Sequence, residues 1–105
     1  MPDLSHLRTL LGDDMLVARF LEMFKQETPA QLHAMQQYIA QENWRALAIS
    51  AHSLKSQLRY LGFEKEATLA QWLETAADQC NAMGTAADRL LQLDASLRQA
   101  IAALV

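Results

Sequence analysis

Apolar residues recur along most of the chain at intervals of three and four, the period of helices with one buried face, and the pattern breaks at a few turn-forming residues. Leu4 to Leu11 predicts a short opening helix. Asp13 or Asp14 can cap the next one, which runs to about Thr28 with Leu16, Val17, Phe20, Leu21, Met23 and Phe24 on its apolar side. Thr28-Pro29 then reads as an N-cap followed by a proline at the first helical position, where its N–H is not missed. That opens a further segment through Leu32, Met35 and Ile39, ending near Gln41. Asn43 is placed to cap a helix over about 44–61, with Gly62 supplying the left-handed residue after it. The following helix, from about Glu64 to Ala82, carries Leu69, Ala70, Leu73, Ala77 and Cys80. Gly84-Thr85 breaks it, and Leu90, Leu93, Leu97, Ile101 and Leu104 mark the last helix.

Long amphipathic helices on short connections force neighbours to run in opposite directions. The expected fold is therefore all-α, an antiparallel up-and-down four-helix bundle with a short additional N-terminal helix lying across one end. No repeat, low-complexity tract or flexible linker divides residues 1–105, which read as one helical bundle domain.

The helix over 44–61 carries two patterns. With successive residues about 100° apart, Leu47, Ala51, Leu54, Leu58 and Leu61 fall within about 40° of a common direction and form a bundle seam. His52 lies roughly 140° from the centre of that seam, with Lys55, Arg59 and Arg45 on the same side at about 80°, 120° and 160°. Ala48, Ile49, Lys55 and Ser56 adjoin His52 one turn away in either direction. An outward Ile49 beside an outward histidine makes a docking surface, to which Ala48 and Arg59 are assigned as well. If the chain turns at Gly62-Phe63, His52 faces about residue 73, flanked by Gln71 and Glu74. A carboxylate or amide bonded to one ring nitrogen fixes the tautomer and makes the other nitrogen the nucleophile.

The chemistry this suits is phosphoryl acceptance. His52 is the candidate acceptor, Lys55 one turn on can balance the phosphoryl charge, and Ser56 can donate a hydrogen bond. No glycine-rich phosphate loop, Walker lysine or serine-histidine-acid grouping accompanies it, so an ATP site and hydrolytic chemistry of the chain's own are not expected. A net charge of -3 gives no attraction to nucleic acid or to an anionic membrane. The single cysteine, Cys80, and an N-terminus without a basic start and apolar stretch point to a cytoplasmic protein. No apolar run approaches the roughly 20 residues that span a bilayer.

These residues resemble the histidine-containing phosphotransfer (HPt) domains of two-component phosphorelays. His52-Ser53-Leu54-Lys55-Ser56 followed by Leu61-Gly62 is similar to that family's H-x-L-K-G, with a hydrophobic residue and glycine nine and ten positions after the histidine. Asn43-Trp44-Arg45-Ala46-Leu47 upstream and Leu73-Glu74 downstream match recurrent flanking patterns, and the similarity covers roughly residues 10 to 80. The resemblance implies a four-helix bundle whose His52 accepts a phosphoryl group at Nε2 from a receiver-domain aspartate of a response regulator or hybrid sensor kinase, then passes it to another receiver aspartate. It also implies that Lys55 assists electrostatically and that Glu74 holds the other ring nitrogen. Ser56 departs from the family glycine, and Glu66 stands at a usually apolar position, read as a face turned toward water.

Set against this reading is a binding module that docks a receiver or kinase without being phosphorylated. His6 and His33 are expected as surface residues, since three scattered histidines make no metal site, and Arg45 as a solvated charge. The phenylalanines, methionines and Trp72 are core candidates, Cys80 a buried small apolar residue. No cofactor is expected, and the chain is expected to be a monomer.

Overall fold

The computed structural model describes residues 5–79 and 85–103, with side chains from residue 8 onward. Leu4, Cys80, Ala82, Gly84, Leu104 and the side chain of His6 lie outside the described residues. Among the described residues the elements are α1 (Ser5–Leu11), α2 (Asp14–Ala40), α3 (Trp44–Tyr60), α4 (Glu64–Asp78) and α5 (Thr85–Ala102). The fold is the helical bundle that the apolar period predicts. Pairs that join α3 to α4, His52 with Glu74 and Lys55 with Gln71, are each equidistant from Phe63, as two antiparallel helices on one tight turn require.

The caps explain where the helices start and stop. Asp13 accepts from the Met15 N–H at 2.8 Å and Asn43 from the Ala46 N–H at 3.2 Å, each satisfying an amide that its helix leaves free. At the end of α3, Gly62 has φ 78° and the Phe63 N–H donates back to the Leu58 carbonyl at 2.9 Å. This closes α3 and aims α4 back along it. The end of α2 repeats the geometry with Asn43 N–H on the Tyr38 carbonyl at 2.8 Å, but there the left-handed residue is Glu42, at φ 54°.

Leu47, Ala51, Leu54, Leu58 and Leu61 are all fully buried, as the wheel requires. Leu32 and Met35 of α2, Ala67, Ala70, Leu73 and Ala77 of α4, and Leu90, Leu93 and Leu97 of α5 complete the core. Ala67, Ala70 and Ala77 lie on the side of α4 next to Glu74, and their small size lets that helix pack closely on α3 where Gln71 and Glu74 meet Lys55 and His52.

Two expectations about α2 fail. Thr28-Pro29 does not open a new helix: α2 runs unbroken from Asp14 to Ala40 with Pro29 inside it. Phe24, Thr28, Leu32 and Met35 are buried in one stripe that passes straight through the proline, so packing keeps the helix in register where propensity would end it. Thr28 therefore caps nothing; it is buried and its Oγ1 has no hydrogen-bond partner. Leu16 and Met23, assigned to the apolar side, are 42% and 55% exposed. At 27 residues α2 is about 40 Å long against about 25 Å for α3, so its first turns run beyond α3 and only one edge of its apolar arc is covered, with α1 packed against that end.

Gly62 and Glu42 hold equivalent positions with opposite intrinsic fitness, which sets a paired prediction. Gly62→Ala should lower and Glu42→Gly should raise the unfolding free energy in urea, each by about 1 kcal/mol, because a Cβ in the left-handed region costs about that much.

Candidate functional site

The site is built on the α3–α4 pair. His52 is displayed from mid-α3 with its side chain 60% exposed, while Lys55, one turn on, is only 10% exposed and points into the groove against α4. From α4, Glu74 reaches between them. Its Oε2 accepts from His52 Nδ1 at 2.8 Å and its Oε1 from Lys55 Nζ at 2.6 Å, so one carboxylate joins both. Lys55 Nζ also donates to Gln71 Oε1 at 2.9 Å.

An ionised carboxylate can only accept, so the hydrogen shared with Glu74 resides on Nδ1. A neutral ring in that tautomer carries its lone pair on Nε2, the nitrogen across the ring from the anchored one. Glu74 is kept ionised. Burial alone pushes its carboxyl up, but hydrogen bonds from Lys55 and His52, reinforced by their charges, outweigh that and hold it below the usual carboxylate range.

The structure thus brings together His52, Lys55, Gln71 and Glu74 from two helices, across separations of 16 to 22 residues. Ser56 is near but turned away: its Oγ donates at 3.2 Å to the backbone carbonyl of His52. The hydroxyl bonds its own helix one turn back, leaving the histidine ring to Glu74. Of the docking candidates, Ile49 is 63% exposed and Arg59 is exposed, whereas Ala48 is buried in the core and offers the surface little. On the helix it lies about 60° beyond Ala51, at the edge of the seam.

His33 is exposed and makes a 3.3 Å side-chain contact with Gln37, away from the α3–α4 site. Among the described residues no three of histidine, cysteine, aspartate or glutamate gather as a metal site would require. Glu66 is buried rather than turned to water, because α5 packs over it and Ser96 Oγ donates to its Oε1 at 2.6 Å. Trp72 is half-buried, with the Arg89 guanidinium 5.2 Å from its ring centre. A groove of about 640 Å³ between α4 and α5 is lined by Lys65, Thr68, Leu69, Gln92 and Ser96 and includes none of the His52 cluster.

The Hpt domain family model matches residues 19–104. The chain belongs to the Hpt domain family. Hpt domains are phosphocarrier modules, not kinases; they serve phosphotransfer in phosphorelays and interact with receiver domains. No curated protein and no solved structure gives a significant match. The match takes in α3, α4 and α5 and most of α2, so the whole His52 cluster falls within the Hpt region, while α1 and the exposed start of α2 precede it. No helix among the described residues is long and apolar enough to cross a membrane.

Thr75 went unnoticed in the sequence. Gln71 Nε2 donates to its Oγ1 at 3.0 Å. The signal available was its spacing, four residues after Gln71 and next to Glu74, on a face already singled out.

The lowered carboxyl of Glu74 fixes the sign of a pH effect. The folded Hpt domain gives up this proton at lower pH than the unfolded chain, so the stabilisation is fully present above the ordinary glutamate value of about 4.3 and is lost as pH falls through the depressed folded value. At pH near 7, Glu74→Gln should unfold in urea with about 1–2 kcal/mol less stability than wild type, leaving Lys55 without its anion. The difference should shrink as the pH is lowered below about 4. A difference constant with pH would contradict the ion-pair account.

Proposed function

We propose that this Hpt domain is a phosphorelay intermediate that accepts a phosphoryl group on His52 Nε2 from a receiver-domain aspartate and passes it to the aspartate of a response-regulator receiver. The observation that carries the reading is the anchoring of Nδ1 on Glu74, since it leaves Nε2 as the nucleophile of an exposed ring. In the forward step the N–P bond forms as the acyl phosphate P–O bond breaks, and the receiver carboxylate departs. Attack through Nε2 places positive charge on a ring that still holds its Nδ1 hydrogen, and the Glu74 carboxylate stabilises that imidazolium. The charged ring is in turn a good leaving group for the next aspartate. Lys55 supplies the cation near the transferred group.

The receiver supplies the acyl phosphate and the metal chemistry of its own aspartate; this domain works without an ATP site of its own. The docking face comprises Ile49 and Arg59 around His52, with the Ser56 hydroxyl turned back onto the His52 carbonyl. One domain over the whole chain, a monomeric state and a cytoplasmic location belong to the same reading, the single cysteine suiting a reducing compartment.

The test is incubation with purified phosphorylated receiver domains from the same organism. Label should move to the wild-type chain in an acid-labile, alkali-stable form and should be absent from His52→Gln. Lys55→Met should transfer at least about tenfold more slowly, having lost a preorganised charge. Label that survives in His52→Gln refutes the assignment. A His52→Ala chain that still binds receiver and still signals would instead support a docking module that is never phosphorylated.

A further inference from the structure

The contacts that hold Lys55 do not stop at Gln71. An ammonium can bond only the oxygen of an amide, so the 2.9 Å contact from Lys55 Nζ settles which way the Gln71 side chain is turned. Its nitrogen then faces along α4, where Nε2 donates to Thr75 Oγ1 at 3.0 Å. Gln71, Glu74 and Thr75 share an arc of about 100° on α4, and Thr75 itself is exposed and outside the core.

This chain of bonds bears on the cation. Lys55 sits on a flexible four-carbon stem, and an ammonium has three donors. Glu74 Oε1 and Gln71 Oε1 take two of them, so the ammonium is held at two points and the direction of its third N–H is restricted. The second point is only as rigid as the Gln71 amide, whose terminal torsion is soft unless something holds its far side. Thr75 Oγ1 is the group that holds it.

We propose that Thr75 is a positioning residue for phosphoryl transfer: through the Gln71 amide it keeps the Lys55 ammonium seated at the Glu74 carboxylate, beside the ring that carries the phosphoryl group. The inference rests on the carrier role of His52 proposed above. Thr75 touches neither the ring nor Lys55. Its effect is preorganisation, since a cation already in place does not have to be gathered as charge develops on the transferring group.

The experiment measures the transfer rate from a phosphorylated receiver to the full chain over a range of receiver concentrations. Thr75→Val and Thr75→Ser are compared alone and in the Lys55→Met background, with circular dichroism confirming the fold of each. Thr75→Val should lower the maximal rate roughly three- to tenfold, the worth of one hydrogen bond, with the receiver KM unchanged. Thr75→Ser should stay within about twofold of wild type because it keeps the hydroxyl. In the Lys55→Met background Thr75→Val should have no further effect.

A wild-type rate in Thr75→Val overturns the inference alone. So does a loss that falls on KM or persists without Lys55, which would make Thr75 a contact with the receiver. A wild-type chain that takes no label, or a His52→Gln control that does, overturns the carrier reading and this inference with it.

Discussion

One carboxylate organises the surface of this bundle. Glu74 accepts from His52 Nδ1 on one oxygen and from Lys55 Nζ on the other, at 2.8 and 2.6 Å, and each bond has a separate consequence. The first selects the tautomer and so decides which ring nitrogen is nucleophilic. The second makes it possible to keep a lysine in the groove between two helices, where an unpaired ammonium would be expensive to desolvate. Because both partners draw on the same anion, removing Glu74 frees the ring and leaves the buried cation without its counter-charge.

That geometry depends on how α3 and α4 are brought together. The seam of Leu47, Ala51, Leu54, Leu58 and Leu61 fixes the rotation of α3 about its axis and so turns His52 outward. Gly62, in a conformation that favours glycine, sets the turn that places residue 74 opposite residue 52. Small residues at Ala67, Ala70 and Ala77 allow α4 to lie close enough for a glutamate to span the gap. The imidazole is thus exposed, while the helices that orient it are fixed by the core beneath.

Much of this is legible in the amino-acid sequence. The seam, a cap at Asp13 or Asp14 and another at Asn43, the Gly62 turn and the facing of His52 by Gln71 or Glu74 follow from helical period, capping residue types and turn length. What period could not decide was which acceptor takes the ring. Gln71 and Glu74 lie about 60° apart on α4, and the outcome turns on Lys55, whose burial draws Glu74 and Gln71 toward it together. The wheel put Lys55 at the margin of the seam, where a long side chain can fold either way; an anion across the groove decides the matter. Ser56 answers the question its position raised differently from expectation, since its hydroxyl closes on the His52 carbonyl rather than standing open to a ligand. In α2 local rules misled. Pro29 suits a helix start by itself, yet a stripe of buried residues on both sides carries the helix through it. Glu66 looked like a surface charge because nothing on α4 announces Ser96, thirty residues later on another helix.

The central claim is that Glu74 holds the His52 hydrogen on Nδ1 and leaves Nε2 unprotonated for attack. Nitrogen-15 NMR of the imidazole at neutral to mildly alkaline pH reads this directly. The account predicts a protonated, hydrogen-bonded Nδ1 and a pyridine-like Nε2 in the free domain, a mixed tautomer population in Glu74→Ala, and phosphorus coupling to Nε2 after phosphoryl transfer. A pyridine-like Nδ1 in the wild-type chain, or phosphorus coupling to Nδ1, would contradict it.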